Sequence, residues 1–595
     1  MGNENPHNAQ RLLWAGFMAI LAAGVGFSIR AGILGDWGDQ FGFTKSDLGA
    51  ITGGGLTGFG IIILIGSFLA DKLGYGRLMI AAFICHLLSA VLTLAATPVY
   101  DAIASGGPES ADTAKSAAFF CLYWGMFLFA IGNGIAEAVV NPLVATLFPE
   151  NKTHYLNILH AGWPGGLIAG GLASYFMAGK VRWEIQIALF LIPTVLYGLM
   201  MIGQRFPRSE AGQKGVKYRD MLGELGVLGA TVICALLVVF FSSDLLPLLF
   251  SLTGADSAPS DSTRWIIALV MGLVLLGSFG AAIGFRLGPP LLAFLLIVHA
   301  MVGYVELGTD SWISTITGNI MDNKTYGLLL FVYTSSLMFL LRFFAGPIVH
   351  QISPLGLLLV SAILGAVGLF MLGSAEGVII CVAAATVYGI GKTYFWPTML
   401  GVVSERFPKG GAITIGLIGG VGMLSAGLLG GPAIGYKQDY FAAQELQQKA
   451  PEVAKEYIAQ DEARGFLFLP KIEGIDGDKL GDIKEKEEAI KAAESKAANG
   501  DQEPAAVDAK DKDISPDAGE GQGGDEASSA ADTTAVPQLT EAEKQVIAAD
   551  LVGGRMALKL TALVPSLMAL CYLGLILYFR ARGGYKQVSL DSEEQ

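Results

Sequence analysis

Two charged residues stand where a chain seldom places them. Glu137 lies in NGIAEAVVNPLVATLFPENK, five residues before Pro142, and Lys392 lies in VYGIGKTYFWPTML, five residues before Pro397. Both stretches are otherwise largely apolar. A carboxyl held out of water is the kind of group that takes up and releases a proton, while an ammonium at the same depth either meets an anionic group of a solute or holds the carboxylate ionised. The blander reading makes Glu137 a structural partner of Lys392 or of Arg30. A second correspondence, again with the charges swapped, sets Arg30 and Gly32 of IRAGILGDW against Glu306 and Gly308 of VELGTDSW, with Asp310 just beyond. Arg342 adds a further cation, the usual fork for a carboxylate. Trp124, Asn141, Asn157, His160, Trp163, Tyr388, Tyr394 and Trp396 have the aromatic and polar character of a solute pocket, although each taken singly is also an ordinary packing residue. His86 and His299 are candidates for a proton relay.

The elements that must hold these residues follow from composition. Of 595 residues, 53% are hydrophobic and 15% charged, with a mean hydropathy of +0.54. Those values exclude a water-soluble domain and imply many membrane crossings. Apolar runs of about 20 residues, enough to cross ~30 Å of hydrocarbon as a helix, recur along the chain. They fall near 11 to 34, 48 to 70, 78 to 97, 117 to 147, 155 to 178 and 186 to 204, then 225 to 250 and 264 to 285, then 289 to 320, 327 to 349, 355 to 373, 377 to 403, 411 to 436 and 557 to 580. The expected fold is an all-α polytopic membrane protein of two pseudo-symmetric six-helix bundles plus two extra central helices, about 14 transmembrane helices. The first bundle takes residues 1–204, a basic loop 205–224 and the extra pair 225–285. The second bundle takes 286–436 and a last helix 556–580, with an insert at 437–555 and a tail at 581–595.

Basic loops should face the cytoplasm. DKLGYGR, the segment from Arg205 to Arg219, SERFPKGG and RARGGYK all fall on one side of this arrangement. Both termini are therefore expected in the cytoplasm of a cell (inner) membrane and the insert outside, and the first apolar run is expected to be retained rather than cleaved. The insert holds 27 of the chain's 52 acidic residues but only 14 of its 39 basic ones, so it accounts for the whole net charge of -13. Within it, Asp439 to Arg464 and Asp482 to Ala498 are helix-competent, whereas Gly500 to Pro537 has the composition of a disordered segment. A solvated acidic spacer is the expected role, with a solute-capturing or partner-binding flap as the alternative. The five cysteines all sit in apolar runs without paired spacing, and neither a metal nor a cofactor is expected. No G-x-x-x-x-G-K-[ST] loop is present, and GIGKT lies inside an apolar span, which argues against ATP hydrolysis in cis.

GSFLADKLGYGRL resembles the signature loop between the second and third helices of the major facilitator superfamily, with Gly66, Asp71, Gly74 and Arg77 in its gating positions. LRFFAGPIVHQISPLG is similar to the degenerate second copy. Within the superfamily, EAVVNP followed by LNILHAGWPGG resembles the fucose/glucose/galactose-proton symporter group, in which the Glu of the fourth helix precedes Asn-Pro. That likeness implies that Glu137 is the proton-coupling acid. The same group carries an Asp in its first helix, where this chain reads Arg30 and Ala31.

A secondary active transporter working by alternating access is therefore expected, with solute and ion sites near the midplane between repeats. Candidate substrate-binding residues are Arg30, Lys392, Asn141, Asn157, His160, Trp163, Glu306, Asp310, Arg342, Tyr388 and Trp396. The solute is a sugar, a sugar acid or an organic anion, and the coupling ion a proton, with sodium as the alternative. Other readings are a proton-coupled antiporter exporting a metabolite or drug, and a non-transporting membrane sensor. A monomer in a lipid bilayer, with no nucleic acid partner, is expected.

Overall fold

The structure is a computed structural model that describes residues 8–53, 55–252, 259–459, 463, 465–498 and 538–590. Among the described residues, thirteen helices are long and apolar enough to cross a membrane. They are α1 (Ala9–Gly32), α2 (Asp47–Leu73), α3 (Tyr75–Ala104), α4 (Pro108–Leu147), α6 (Trp183–Met201), α7 (Tyr218–Ser251), α8 (Asp261–Ile283), α9 (Pro290–Ile320), α10 (Lys324–Arg342), α11 (Ala345–Ser374), α12 (Gly377–Arg406), α13 (Pro408–Lys449) and α14 (Glu541–Ala581). The fourteenth crossing, α5, consists of Lys152–His160 and Gly162–Met177, pieces of 9 and 16 residues separated at Ala161. The protein is thus an all-α polytopic membrane protein of two six-helix halves, α1–α6 and α9–α14, with the extra pair α7 and α8 between them in the chain. Two helices overrun their expected ends: α13 continues to Lys449 and α14 begins at Glu541, because the flanking sequence keeps helix-forming Ala, Glu, Gln and Lys after the apolar run stops.

Within the first half α3 packs on α4 and α1 on α5; within the second, α11 packs on α12 and α14. The halves meet where α2 lies along α13, where α5 lies along α10 and where the first piece of α5 meets the end of α12. In a bilayer such contacts gain little from hydrophobic burial and rely on close packing through small residues. The crossing of α9 and α13 is the tightest case: a Cβ on Gly303 would lie 1.8 Å from the backbone oxygen of Gly422. Only glycine fits there. The pair α7 and α8 packs on itself, and α7 also touches α9 and α13.

Four irregularities interrupt the described helices that border the space between the halves, one of them a π-turn in α13 at Ala426–Gly430. The backbone of α9 opens into a π-turn at Tyr304–Gly308, and α12 is interrupted between Lys392 and Phe395. The break in α5 precedes Pro164 and that in α12 precedes Pro397, residues with no N–H to give to the carbonyl four positions back.

Contact clustering divides the chain into two compact units, Met1–Lys437 with Phe466–Leu469 and Gly554–Gln595, and Gln438–Gly465 with Pro470–Gly553. The second unit has a core of its own. Ala443, Leu446, Ala450, Ala454, Ile458, Ile483, Val546 and Ala549 pack together, Ile458 and Ile475 form an antiparallel bridge, and Lys484 and Lys486 pair with Asp550 at 2.7 Å and Glu543 at 2.9 Å. This part of the insert is more than the solvated spacer expected of it. Gly500 to Pro537 lies outside the described residues.

Candidate functional site

Glu137 and Asn141 are one turn apart on α4 and so share a face. Asn141 Nδ2 donates to Glu137 Oε1 at 3.1 Å, and His160 Nε2, at the end of the first piece of α5, donates to Asn141 Oδ1 at 2.8 Å. The same imidazole nitrogen lies 3.5 Å from Glu137 Oε1. Glu137 is buried, yet among the described residues no lysine or arginine comes within 4.0 Å of it. Its immediate partners are a carboxamide, an imidazole and the indole of Trp396, none of which carries a fixed charge.

Across the cavity stands the second half. The π-turn of α9 presents Glu306, whose Oε1 accepts from Arg342 Nη2 at 2.8 Å and whose Oε2 accepts from the backbone N–H of Trp396 at 3.2 Å. Arg342 is 1% exposed and Glu306 2%, so this is a fully buried ion pair in which each side-chain nitrogen and oxygen has a partner. The other donors of Arg342 go to main-chain oxygens: Nε to Thr393 O at 2.8 Å and Nη1 to His160 O at 2.6 Å. One turn beyond Glu306, Asp310 accepts from Lys392 Nζ. The expected pairing of Lys392 with Glu137 is therefore not formed; the lysine is neutralised inside its own half, beside the ring of Tyr388.

A cavity of about 30 Å³ is lined by Ile20, Phe59, Glu137, His160, Trp163, Glu306, Leu307, Arg342, Trp396 and Met423. It has room for a water molecule or two, and a solute the size of a monosaccharide enters only if the halves part. Two indoles bound it, and the Trp163 Nε1–H has no hydrogen-bond partner among the described residues.

Of the sequence candidates, Glu137, Asn141, His160, Trp163, Glu306, Arg342 and Trp396 come together here. Lys392, Asp310 and Tyr388 form the layer behind; the Tyr388 hydroxyl donates to Val305 O at 3.0 Å. Asn157 joins the halves lower down, donating to Thr398 Oγ1 at 3.2 Å. Arg30 stands apart. Its guanidinium lies over Phe129 at 3.9 Å and donates to Ser89 Oγ at 3.1 Å, within the first half. His86 is satisfied by Tyr197 and Asn133 in the same region, and Trp124 is on the outer surface, 39% exposed. His299 is buried against the Trp396 ring, 4.7 Å between centroids.

One end of the molecule is bolted shut by polar contacts. Asp71 Oδ2 accepts from Ala412 N at 3.1 Å, so the signature acid caps the start of α13 in the other half, while Arg77 of the same motif is exposed. Lys152 Nζ donates to Glu210 Oε2 at 3.0 Å and Ser404 O at 3.2 Å. Glu405, which the sequence pattern does not single out, is a junction: Oε1 accepts from Thr153 Oγ1 and Oε2 from the Tyr585 hydroxyl, both at 2.7 Å, and its carbonyl accepts from Val588 N at 2.8 Å. Gln587 Nε2 donates to Pro149 O at 2.9 Å, so the segment after α14 spans both halves. A carboxylate ending an apolar helix next to a basic loop is the only sequence signal for this role.

A family model described as Major Facilitator Superfamily matches residues 16–431. Searching curated proteins finds no match. Among solved structures, the chain is similar to the proton:xylose symporter XylE bound to 6-bromo-6-deoxy-D-glucose, with 14% identity, a TM-score of 0.51, and coverage of 73% of this chain and 90% of that one. The E. coli fucose:proton symporter FucP gives 15%, 0.48, 72% and 91%, and the human organic anion transporter TETRAN 14%, 0.47, 74% and 95%.

Proposed function

This chain belongs to the Major Facilitator Superfamily, and from that premise we propose that it is a proton-coupled symporter of a small, neutral, sugar-like solute, working by alternating access. The observation that carries the reading is the distribution of charge around the cavity. Both cations near it are already matched, Arg342 by Glu306 and Lys392 by Asp310, whereas Glu137, among the described residues, has no lysine or arginine within 4.0 Å and faces Arg342 only across the cavity. The group free to gain and lose a proton is thus a carboxyl between the halves. An anionic solute would have to unseat a buried carboxylate and leave it unpaired, which costs several kcal/mol, on the order of 3–5. A neutral polyol meets no such penalty: it offers hydroxyls to Glu137 and to the Trp163 N–H and apolar faces to the two indoles. These arguments favour a sugar over the sugar acids and organic anions of the same size.

In this reading the bolted end is cytoplasmic, as its basic loops suggest, and the insert at 437–555 is extracytoplasmic. The test is uptake of a radiolabelled panel of sugars, sugar acids and carboxylates into proteoliposomes, with and without an inward proton gradient, for the wild type and Glu137→Gln. A neutral sugar accumulating with the gradient, and losing accumulation but not exchange in the variant, is the expected result. Accumulation of an anion, dependence on sodium instead, or full accumulation by the variant overturns it.

A further inference from the structure

The donors of Arg342 fall on a pattern that the ion pair with Glu306 does not explain. In a continuous helix the carbonyl of residue i accepts from the N–H of residue i+4. His160 O is orphaned because residue 164 is proline, and Thr393 O is orphaned because residue 397 is proline. The neighbouring bonds persist: Gly165 N donates to Ala161 O at 3.1 Å and Thr398 N to Tyr394 O at 3.3 Å. Each break therefore frees one particular carbonyl on a buried residue, and a buried acceptor without a donor is costly. Arg342 takes both, His160 O with Nη1 and Thr393 O with Nε, while Nη2 is held by Glu306. The planar guanidinium is the one side chain with donors fixed in such a fork.

Thr393, Arg342 and Glu306 belong to the second half; His160 belongs to the first. The 2.6 Å bond to His160 O is therefore the one that must break when the halves part. We infer that Arg342 is a midplane latch of the transport cycle, a positioning residue that holds the halves together by pinning a proline-freed carbonyl from each, rather than a ligand for the solute. The sequence alone places it among substrate-binding candidates. The latch has a second handle, because the imidazole of the same His160 lies against Glu137 and Asn141. The charged and titratable groups facing this point are Glu137 from α4, Glu306 from α9 and Arg342 from α10, with His299 behind Trp396 and the matched pair of Lys392 and Asp310 beyond. A change at Glu137 thus reaches the latch through one residue.

This inference rests on the alternating-access reading, and its test needs no solute. Hydrogen exchange is followed by mass spectrometry on the full chain in lipid nanodiscs for the wild type, Arg342→Gln and Pro164→Ala. The alanine supplies an N–H to His160 O within α5 and so competes with the latch while leaving every charge in place. Residues 411–416 report separation of the halves, because the Ala412 amide is bonded to Asp71 of the other half. Exchange there and at 157–166 is expected to rise about tenfold or more in both variants, as opening of a protected contact does, with the segment around His86 unchanged. A rise confined to 393–398 in Arg342→Gln, or wild-type exchange in Pro164→Ala, overturns the latch and leaves Arg342 a counter-ion of Glu306. Should Arg342→Gln exchange throughout its length, Pro164→Ala alone decides. Failure of proton-driven uptake would leave these exchange differences standing, and the reverse also holds.

Discussion

Asp310 accepts a hydrogen bond from Lys392 Nζ, so the lysine that the sequence sets opposite Glu137 is satisfied within its own half. Removing one partner of a buried pair strands the other, at a cost of about 3–5 kcal/mol, whereas replacing both by neutral groups of similar shape is close to neutral. Lys392→Met is accordingly expected to lower the denaturation midpoint of the purified protein markedly. Lys392→Met with Asp310→Asn is expected to recover most of the loss. A double variant no more stable than the single one would mean that the pair does not set the stability of this layer.

The fold is largely legible from apolar run lengths, and the relation between Glu137 before Pro142 and Lys392 before Pro397 marks two charged helices, α4 and α12, that lie on either side of the space between the halves. Which charges pair is not legible. Glu306 and Asp310 fall within the apolar run near 289 to 320, but the π-turn at Tyr304–Gly308 is invisible to a 3.6-residue pattern. In the structure that turn lies mid-helix, and it aims Glu306 at Arg342 and Asp310 at Lys392. Likewise the core of the insert joins Leu446 to Val546, residues whose separation in the chain no local window spans.

Glu137 is expected to set the response to pH. In counterflow, where labelled and unlabelled solute exchange without net proton movement, Glu137→Gln should run at a rate comparable to the wild type and without its pH dependence. Net accumulation driven by a proton gradient should fall to the level of protein-free liposomes. Counterflow in the variant that still follows pH would assign the coupling proton to another group.

Gly303 is expected to tolerate no side chain. A methyl at this position runs into the Gly422 carbonyl, backbone that cannot rotate out of the way. Overpacking of this kind costs about 1–3 kcal/mol even where neighbours yield. Gly303→Ala should therefore lower thermal stability in detergent by at least that amount, whereas Gly277→Ala, with open space around its Cβ position, should not.

The insert is expected to be dispensable for flux. A Cβ on Gly553 would lie 2.4 Å from Gln438 O, so the ends of this unit are adjacent. Joining Lys437 to Gly554 through a short glycine linker should preserve uptake within about twofold, since the change lies outside the contacts that bind or couple. Loss of uptake with normal membrane insertion would give the unit a part in transport.

The hydroxyl of Tyr585 is expected to hold the gate. Tyr585→Phe removes one hydrogen bond to Glu405, a net effect of about 1 kcal/mol, or roughly fivefold in the opening equilibrium. Exchange at residues 411–416 should rise by that factor. No change would mean that the segment after α14 rests on the gate without loading it.

That segment also bears on how the protein is made. Residues 585–588 meet Glu405 and Pro149, and they leave the ribosome only after all fourteen crossings have been synthesised. A nascent chain threading through the insertion machinery thus lacks the final piece that joins its two halves at this end. The contacts of residues 585–588 therefore form only after the last crossing has been made, and a chain cut just beyond α14 is expected to insert without them while the contacts of Asp71, Lys152 and Thr153 remain.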